Sequence, residues 1–346
     1  MNRTSTESPM RRKLEASSGS IRLDLLANPF GPSMRVPEAL AAEDDLHLHD
    51  LGRDRLLRER LGDLSGVPSD WIVLTNGADE AVHMCLLAQR DHGPALLFTP
   101  TDPALARLAQ LAAVPVHEHP RSARFGVDIA PETRIDAPAS SLAIVQSPND
   151  PTGTILETTD AVQLSRRFRM LLVDERHTEY GGRTMTPLAR EFDNIAVIQS
   201  LELWAGLAGL PIAWVIARPS VARQIEAHRP SARVASAAVV AALATLDDLA
   251  YVRATVRRIR DEKSHLFRTL RKLNMLQPMP SWTNFLLARV ERGDAAWYQQ
   301  QLAQRGIFVY RPTAPELPSH LRIAAVTPET TRILKESLID IARDLP

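Results

Sequence analysis

Short apolar runs alternate along this chain with segments whose apolar residues recur at helical spacing. The runs Trp71–Leu74, Ala95–Phe98, Leu142–Val145, Leu171–Val173, Ile195–Ile198 and Ile212–Ile216 predict strands. Each is apolar almost throughout, as expected of a strand covered on both faces. Between them Asp79–Gln89, Pro103–Leu111 and Ala161–Phe168 carry the amphipathic helical period. Strands joined through helices form parallel crossovers, so the pattern predicts an α/β fold with a mostly parallel sheet sandwiched by helices. Near Ser231 the rhythm changes. An alanine-rich, then arginine-rich helical stretch runs from Ser236 to Leu273. Beyond it the pattern predicts a strand at Thr283–Ala288, a helix at Ala295–Arg305, strands at Phe308–Tyr310 and Leu321–Ala325, and a closing helix from Pro328. The expected organisation is a large domain with its entry segment over residues 21–230 and a smaller α/β domain over 231–346. Residues 1–20, rich in Ser, Thr and Arg, are expected to form a disordered arm.

The composition removes several classes of function. Basic and acidic residues balance at 41 each, so no global field favours nucleic acid or a membrane surface. No apolar run approaches the ~20 residues that span a bilayer. The single Cys85 excludes an internal disulfide framework and suits a reducing cytoplasm. Almost all the basic residues are arginine. Lys13, Lys263, Lys272 and Lys335 are the only lysines, which matters below.

Several short motifs carry candidate chemistry. Thr75-Asn76-Gly77-Ala78-Asp79-Glu80-Ala81 follows a strand and opens a helix, a junction whose free amides and dipole attract an anion. Asp174 ends a strand within Val173-Asp174-Glu175-Arg176-His177-Thr178-Glu179-Tyr180. Turns lie at Asn28-Pro29-Phe30-Gly31-Pro32 and at Ser147-Pro148-Asn149-Asp150-Pro151-Thr152-Gly153. The stretch Ile198–Ile212 contains Gly206-Leu207-Ala208-Gly209-Leu210, and Arg322 sits in a predicted strand of the small domain.

In order and spacing these motifs resemble the pyridoxal phosphate (PLP) aminotransferases of fold type I, class I/II. They are most similar to histidinol-phosphate aminotransferases. The resemblance runs from about Asn28 to the C-terminus. It implies a seven-stranded, mostly parallel sheet in the large domain and a homodimer with a site shared across its interface. It also implies roles for single positions. Gly77, Ala78 and Asp79 match the turn that holds the cofactor phosphate, and Asp174 the acid that faces the pyridine nitrogen. Arg322 matches the arginine that clamps a substrate carboxylate, with Asn28 and Arg311 as further substrate contacts. Ser281-Trp282-Thr283-Asn284-Phe285 matches a small-domain signature.

The departures from the family pattern are as informative. Counting back from Gly206, the position of the lysine that bonds the cofactor is Leu203, which has no nucleophile. Glu202 replaces a phosphate-binding serine, Pro211 a phosphate-binding arginine, and Asp102 an aromatic that stacks on the ring. Asp150 replaces an asparagine and His177 a tyrosine, both of which hold the phenolic oxygen in the family. The cross-subunit tyrosine falls near His47-Leu48-His49-Asp50. Asp102, Asp150, Asp174 and Glu202 are expected to approach the old cofactor cavity, where their charges repel unless a cation or arginines neutralise them. No metal ligand set is assigned.

The expectation is therefore an aminotransferase-like protein in which PLP is lost or held non-covalently. It binds, or acts without PLP on, an amino-acid-like and cationic small molecule of a biosynthetic pathway. Asp174, His177, Asp150 and Glu202 are the candidate catalytic groups. The competing readings are a lysine-less enzyme of the aminotransferase class with non-covalent cofactor, His177 standing in as base, and a non-catalytic pseudoenzyme partner subunit.

Overall fold

The computed structural model describes residues 19–45, 47, 52–129, 133–229 and 234–343. Residues 1–18 of the expected arm, most of the His47–Asp50 stretch and the expected boundary at 230/231 lie outside these.

The first strand is β1 (Ile21–Arg22). The large sheet then takes β2 (Ile72–Thr75), β3 (Ala95–Thr99), β4 (Val116–Pro120), β5 (Leu142–Gln146), β6 (Met170–Asp174), β7 (Ile195–Ser200) and β8 (Ala213–Ile216). Their spatial order is β2-β8-β7-β6-β5-β3-β4. All neighbours are parallel except β8, which runs antiparallel to both β2 and β7. The seven-stranded, mostly parallel sheet is thus present, and its strands are apolar because both faces are covered. One buried cluster, with Leu74, Phe98, Val145, Val173 and Trp214, fills one face. Another, with Val73, Leu97, Ile144, Leu172 and Val215, fills the other. The alternation of neighbouring residues between two cores is the strand period at work.

The small domain is built on β9 (Leu276–Pro278), β10 (Phe285–Val290), β11 (Ile307–Phe308) and β12 (His320–Ala324). β12, β10 and β9 form an antiparallel sheet, while β11 pairs in parallel with β1. Its core includes Leu266, Tyr298, Leu321, Ile323 and Leu338, and Leu23 joins it from the entry segment. Residues 21–23 therefore pack on the C-terminal unit, ahead of the large domain in sequence.

Two local expectations shift. The long helical stretch is two helices, Ser236–Leu246 and Leu249–Leu273. Asp248 stops the first by capping the second: its side chain accepts from the Tyr251 amide at 3.4 Å and from the Ser33 hydroxyl at 2.5 Å. The sheet also has an edge strand, β4, with the sequence VHEHP. It has no apolar run to announce it, because its residues are half-buried or exposed, unlike those of β2 at the other edge.

Among the described residues no helix is long and apolar enough to cross a membrane.

Candidate functional site

Asp174 ends β6, Gln146 ends β5, Ser200 ends β7 and Thr75 ends β2. Ligands of open α/β sheets bind in the crevice outside such strand ends. Here the crevice is crossed by side chains of the chain itself.

Asp174 is completely buried. The Arg176 Nε donates to its two carboxylate oxygens at 3.1 and 2.9 Å, and Nη1 reaches Asp79 Oδ1 at 2.8 Å. Burial alone would lower the Arg176 pKa, but the carboxylates of Asp174 and Asp79 outweigh it and raise it above the arginine range. The guanidinium is therefore permanently charged, and Asp174 has an internal cation.

The helix Ala78–Gln89 opens at Gly77, whose φ of 86° is in the left-handed region that favours glycine. The Ala78 amide donates to Glu202 Oε2 at 2.8 Å, and the Ser200 hydroxyl donates to the same oxygen at 2.7 Å. A β-carbon on Gly77 would stand 2.9 Å from the other Glu202 oxygen and 3.1 Å from the Pro211 side chain. The helix N-terminus thus already holds an anion.

Arg322 lies in β12. Its Nη1 donates to Asp150 Oδ2, and its Nη2 to the Asp24 carbonyl at 2.8 Å. The guanidinium packs against the rings of Tyr310 and Phe285, with centroids 4.4 and 5.4 Å from its central carbon. Arg322 Nε is buried without a hydrogen-bond partner.

In front of this pair opens a cavity of about 530 Å³. Asp150, Arg322, Tyr310 and Asp102 line it, with Glu118, Glu316 and the turn Pro312–Pro315. Asp102 also caps the helix Pro103–Leu111 by accepting from the Ala104 amide at 2.9 Å. Burial raises its pKa above the usual aspartate value, and the charges of Asp150 and Asp174 add to the rise, against the Ala104 hydrogen bond and Arg176. Of the four acids expected together, Asp102 and Asp150 face this cavity. Asp174 and Glu202 are engaged by Arg176 and by the helix N-terminus.

Other predicted site residues take structural places. The Asn28 side chain donates to the Trp204 carbonyl at 2.7 Å and to Thr255 Oγ1 at 2.9 Å, and accepts from the Phe30 amide at 2.9 Å. Both amide protons are thereby used, and Asn28 fastens the entry segment to the rest of the chain. Gly206 has a reason in the same place: a β-carbon there would stand 2.5 Å from the Gly31 carbonyl carbon. Arg311 follows Tyr310 but is not among the cavity-lining residues. His177 is buried, its ring edge-on to Phe285 at 5.8 Å, with Nδ1 lacking a partner. Burial, then Arg176 and Arg322, push its pKa down to about 3, far below what a general base at neutral pH requires.

Sequence reasoning missed Glu175, Arg121 and Tyr310. Glu175 is buried and accepts from Thr184 Oγ1 at 2.6 Å, Gln199 Nε2 at 3.0 Å and the Met185 amide. Burial pushes its pKa up to about 7. Arg121 donates to Asn149 Oδ1 at 2.9 Å and the Phe98 carbonyl at 3.0 Å, and burial lowers its pKa to about 9. The flag in the sequence is the neighbouring turn, where Asn149 bonds Pro100, Thr101 and Thr152.

The sequence model of the family described as aminotransferase class I and II matches residues 36–338. The chain belongs to this family. It is 32% identical to the histidinol-phosphate aminotransferase of Roseiflexus castenholzii over 332 residues, covering 93% of this chain and 90% of that protein. It is 28% identical over 319 residues to the enzyme of the same name from Dehalococcoides mccartyi, covering 92% and 89%. The fold matches that of the Sinorhizobium meliloti histidinol-phosphate aminotransferase in complex with pyridoxal 5'-phosphate. The TM-score is 0.83 over the whole of both chains, at 21% identity.

The family implies PLP, and the residues present fit it poorly. A phosphate dianion at Gly77–Ala78 would meet the Glu202 carboxylate on the amide it needs. A pyridinium at Asp174 would compete with the Arg176 guanidinium, which already holds both oxygens. No amine stands at 203, and among the described residues no other lysine replaces it. Burial lowers the Lys263 pKa to about 8, but its amine donates to the Ser281 carbonyl at 2.5 Å, outside the cavity lining. Lys272 and Lys335 are exposed on small-domain helices.

Proposed function

We propose that this chain is a PLP-independent member of the aminotransferase family that binds a small, amino-acid-like molecule without transaminating it. Leu203 offers neither a covalent link to a cofactor nor a base at the substrate α-carbon. The observation that carries the reading is the Arg322–Asp150 pair at the wall of the 530 Å³ cavity. A carboxylate that takes Arg322 bidentately displaces Asp150, and the freed Asp150 then faces a positive group on the same ligand. A zwitterion therefore replaces one ion pair by two, whereas a simple carboxylic acid leaves Asp150 uncompensated beside Asp102. A second cationic group, an amine or guanidinium, suits Asp102, Glu118 and Glu316 further along the cavity. Tyr310 and Phe285 exclude water from the guanidinium and strengthen the exchange.

The reading also takes the protein to be cytoplasmic and a homodimer, as its resemblance implies. Light scattering on the eluting protein checks the dimer, and a stable monomer excludes a site shared between subunits.

The decisive experiment titrates the full chain with PLP and, separately, with a panel of zwitterionic and dibasic amino acids, followed by absorbance and thermal shift. The expected result is no response to PLP and saturable stabilisation by amino acids. PLP binding followed by a spectral change on adding an amino acid overturns the reading in favour of a lysine-less PLP enzyme. No response to either leaves a non-catalytic partner subunit.

A further inference from the structure

Three charged side chains from distant parts of the sequence sit where an anion, a cation and another anion would be bound: Glu202 at the Ala78 amide, Arg176 at Asp174, and Asp150 at Arg322. The first bears on a different end of the site from the amino-acid clamp. We propose that Glu202 is a built-in anion that closes the helix N-terminus at Gly77–Ala78 to phosphate. The inference rests on the PLP-independent reading and narrows it: a ligand of this site carries no phosphate group at that end.

Three observations support it. The carboxylate is held from two sides, by the Ala78 amide at 2.8 Å and the Ser200 hydroxyl at 2.7 Å, and it is further positioned because the Glu202 amide donates to Ser200 Oγ at 2.9 Å. That is an oriented interaction, not a charge that happens to point inward. The helix has 12 residues, enough for its dipole to favour a negative group at this end. The neighbouring wall is Pro211, which has neither charge nor an N–H to offer a second anion. An incoming phosphate would have to expel Glu202, and Pro211 offers it no cation in exchange. Asp79 and Glu80 also stand in the first turn; Asp79 is paired with Arg176, while Glu80 takes the Asn76 amide and the Asn76 side chain. The carboxylates of Glu202, Asp79 and Glu80 on this rim are thus all engaged from within the chain.

The test uses the full-length protein and inorganic phosphate, with chloride of matched ionic strength as the control. Glu202→Ser removes the internal anion, and Glu202→Ser combined with Pro211→Arg adds a cation on the exposed wall. The expected result is no phosphate-specific thermal shift for the unmodified protein. A saturable shift should appear for Glu202→Ser, and the double variant should bind phosphate about tenfold more tightly, as one charge-assisted contact implies. Glu202→Ala, which opens the same space without a hydroxyl, serves if the serine variant does not fold. A phosphate shift in the unmodified protein overturns the inference. So does a folded serine or alanine variant, together with the double variant, that ignores phosphate. The cavity reading is scored separately, on amino-acid binding by the unmodified protein. If amino acids bind and no variant takes phosphate, only this inference falls. If the variants take phosphate and no amino acid binds, only the cavity reading falls.

Discussion

Asp150 and Arg322 form an ion pair between a turn of the large domain and a strand of the small one, 172 positions apart in sequence. Both side chains are about one-tenth exposed. A pair this well covered does little for net stability but is costly to break from one side, because the remaining charge stays buried.

Asp150→Asn should therefore lower the unfolding free energy by about 3 kcal/mol, measured by chemical denaturation. It should also change ligand preference. With its internal partner neutral, Arg322 should bind acetate or propionate more tightly than in the parent, while zwitterionic amino acids lose affinity. If simple carboxylates and amino acids shift together, the ion-pair exchange is wrong.

Arg176→Met should be among the most damaging single changes. It leaves Asp174 wholly buried with no cation, and Asp79 loses its partner as well. The expected loss is about 3–5 kcal/mol. Adding Asp174→Asn to it should recover much of that loss, because the uncompensated charge goes with it. Failure of the second change to rescue the first would mean that Arg176 acts mainly through packing.

Two buried groups give opposite dependence on pH. Glu175 has a folded pKa raised from 4.5 to about 7, so its contribution is fully present below pH 4.5 and lost as pH rises through 7. His177 has a folded pKa depressed from 6.5 to about 3, so acid favours the unfolded chain, which takes up the proton first. Stability from this group rises with pH between 3 and 6.5. In the overlap, pH 4.5 to 6.5, the two slopes oppose each other. Glu175→Gln should unmask a stability that climbs with pH there, and His177→Phe one that falls. Unfolding free energies at three pH values decide it; parallel curves for parent and variants would remove both assignments.

Leu203→Lys alone should not restore a cofactor. The new amine would stand beside Glu202, which still holds the helix amide, and Arg176 would still hold Asp174. Incubation with PLP should give no visible band from a covalent adduct. A stable band that survives desalting would show the cavity to be far more open to PLP than its charges suggest.

The fold was legible because its signals are redundant. Six apolar runs between amphipathic segments make a parallel sheet almost unavoidable, and β4 escaped because neither of its faces is fully covered. Within the site, local signals read well: the glycine at the head of a helix and the acid at the end of β6 are both where the pattern put them. What did not read was pairing across distance. Nothing local says that Asp150 meets Arg322, that Glu202 meets Ala78, or that Arg176 reaches Asp79. The identity of each residue pointed to a changed site. Its meaning lay in the partner, which only the folded chain supplies. Asn28 makes the same point, since its two amide protons go to the Trp204 carbonyl and the Thr255 hydroxyl, partners that its motif does not name.

The pairing of β1 with β11 has a consequence for how the protein is made. Ile21 and Arg22 stand opposite Ile307 and Phe308, and the Ala324 amide donates to the Leu23 carbonyl. On the ribosome β1 finds its neighbours only after residues 307–324 have been synthesised. The large sheet can form while residues 21–23 wait, and the small domain is finished by a piece of chain made before the large sheet. Residues 21–23 and the small domain are thus one folding unit, and removing those residues should be felt in the C-terminal domain before it is felt in the large sheet.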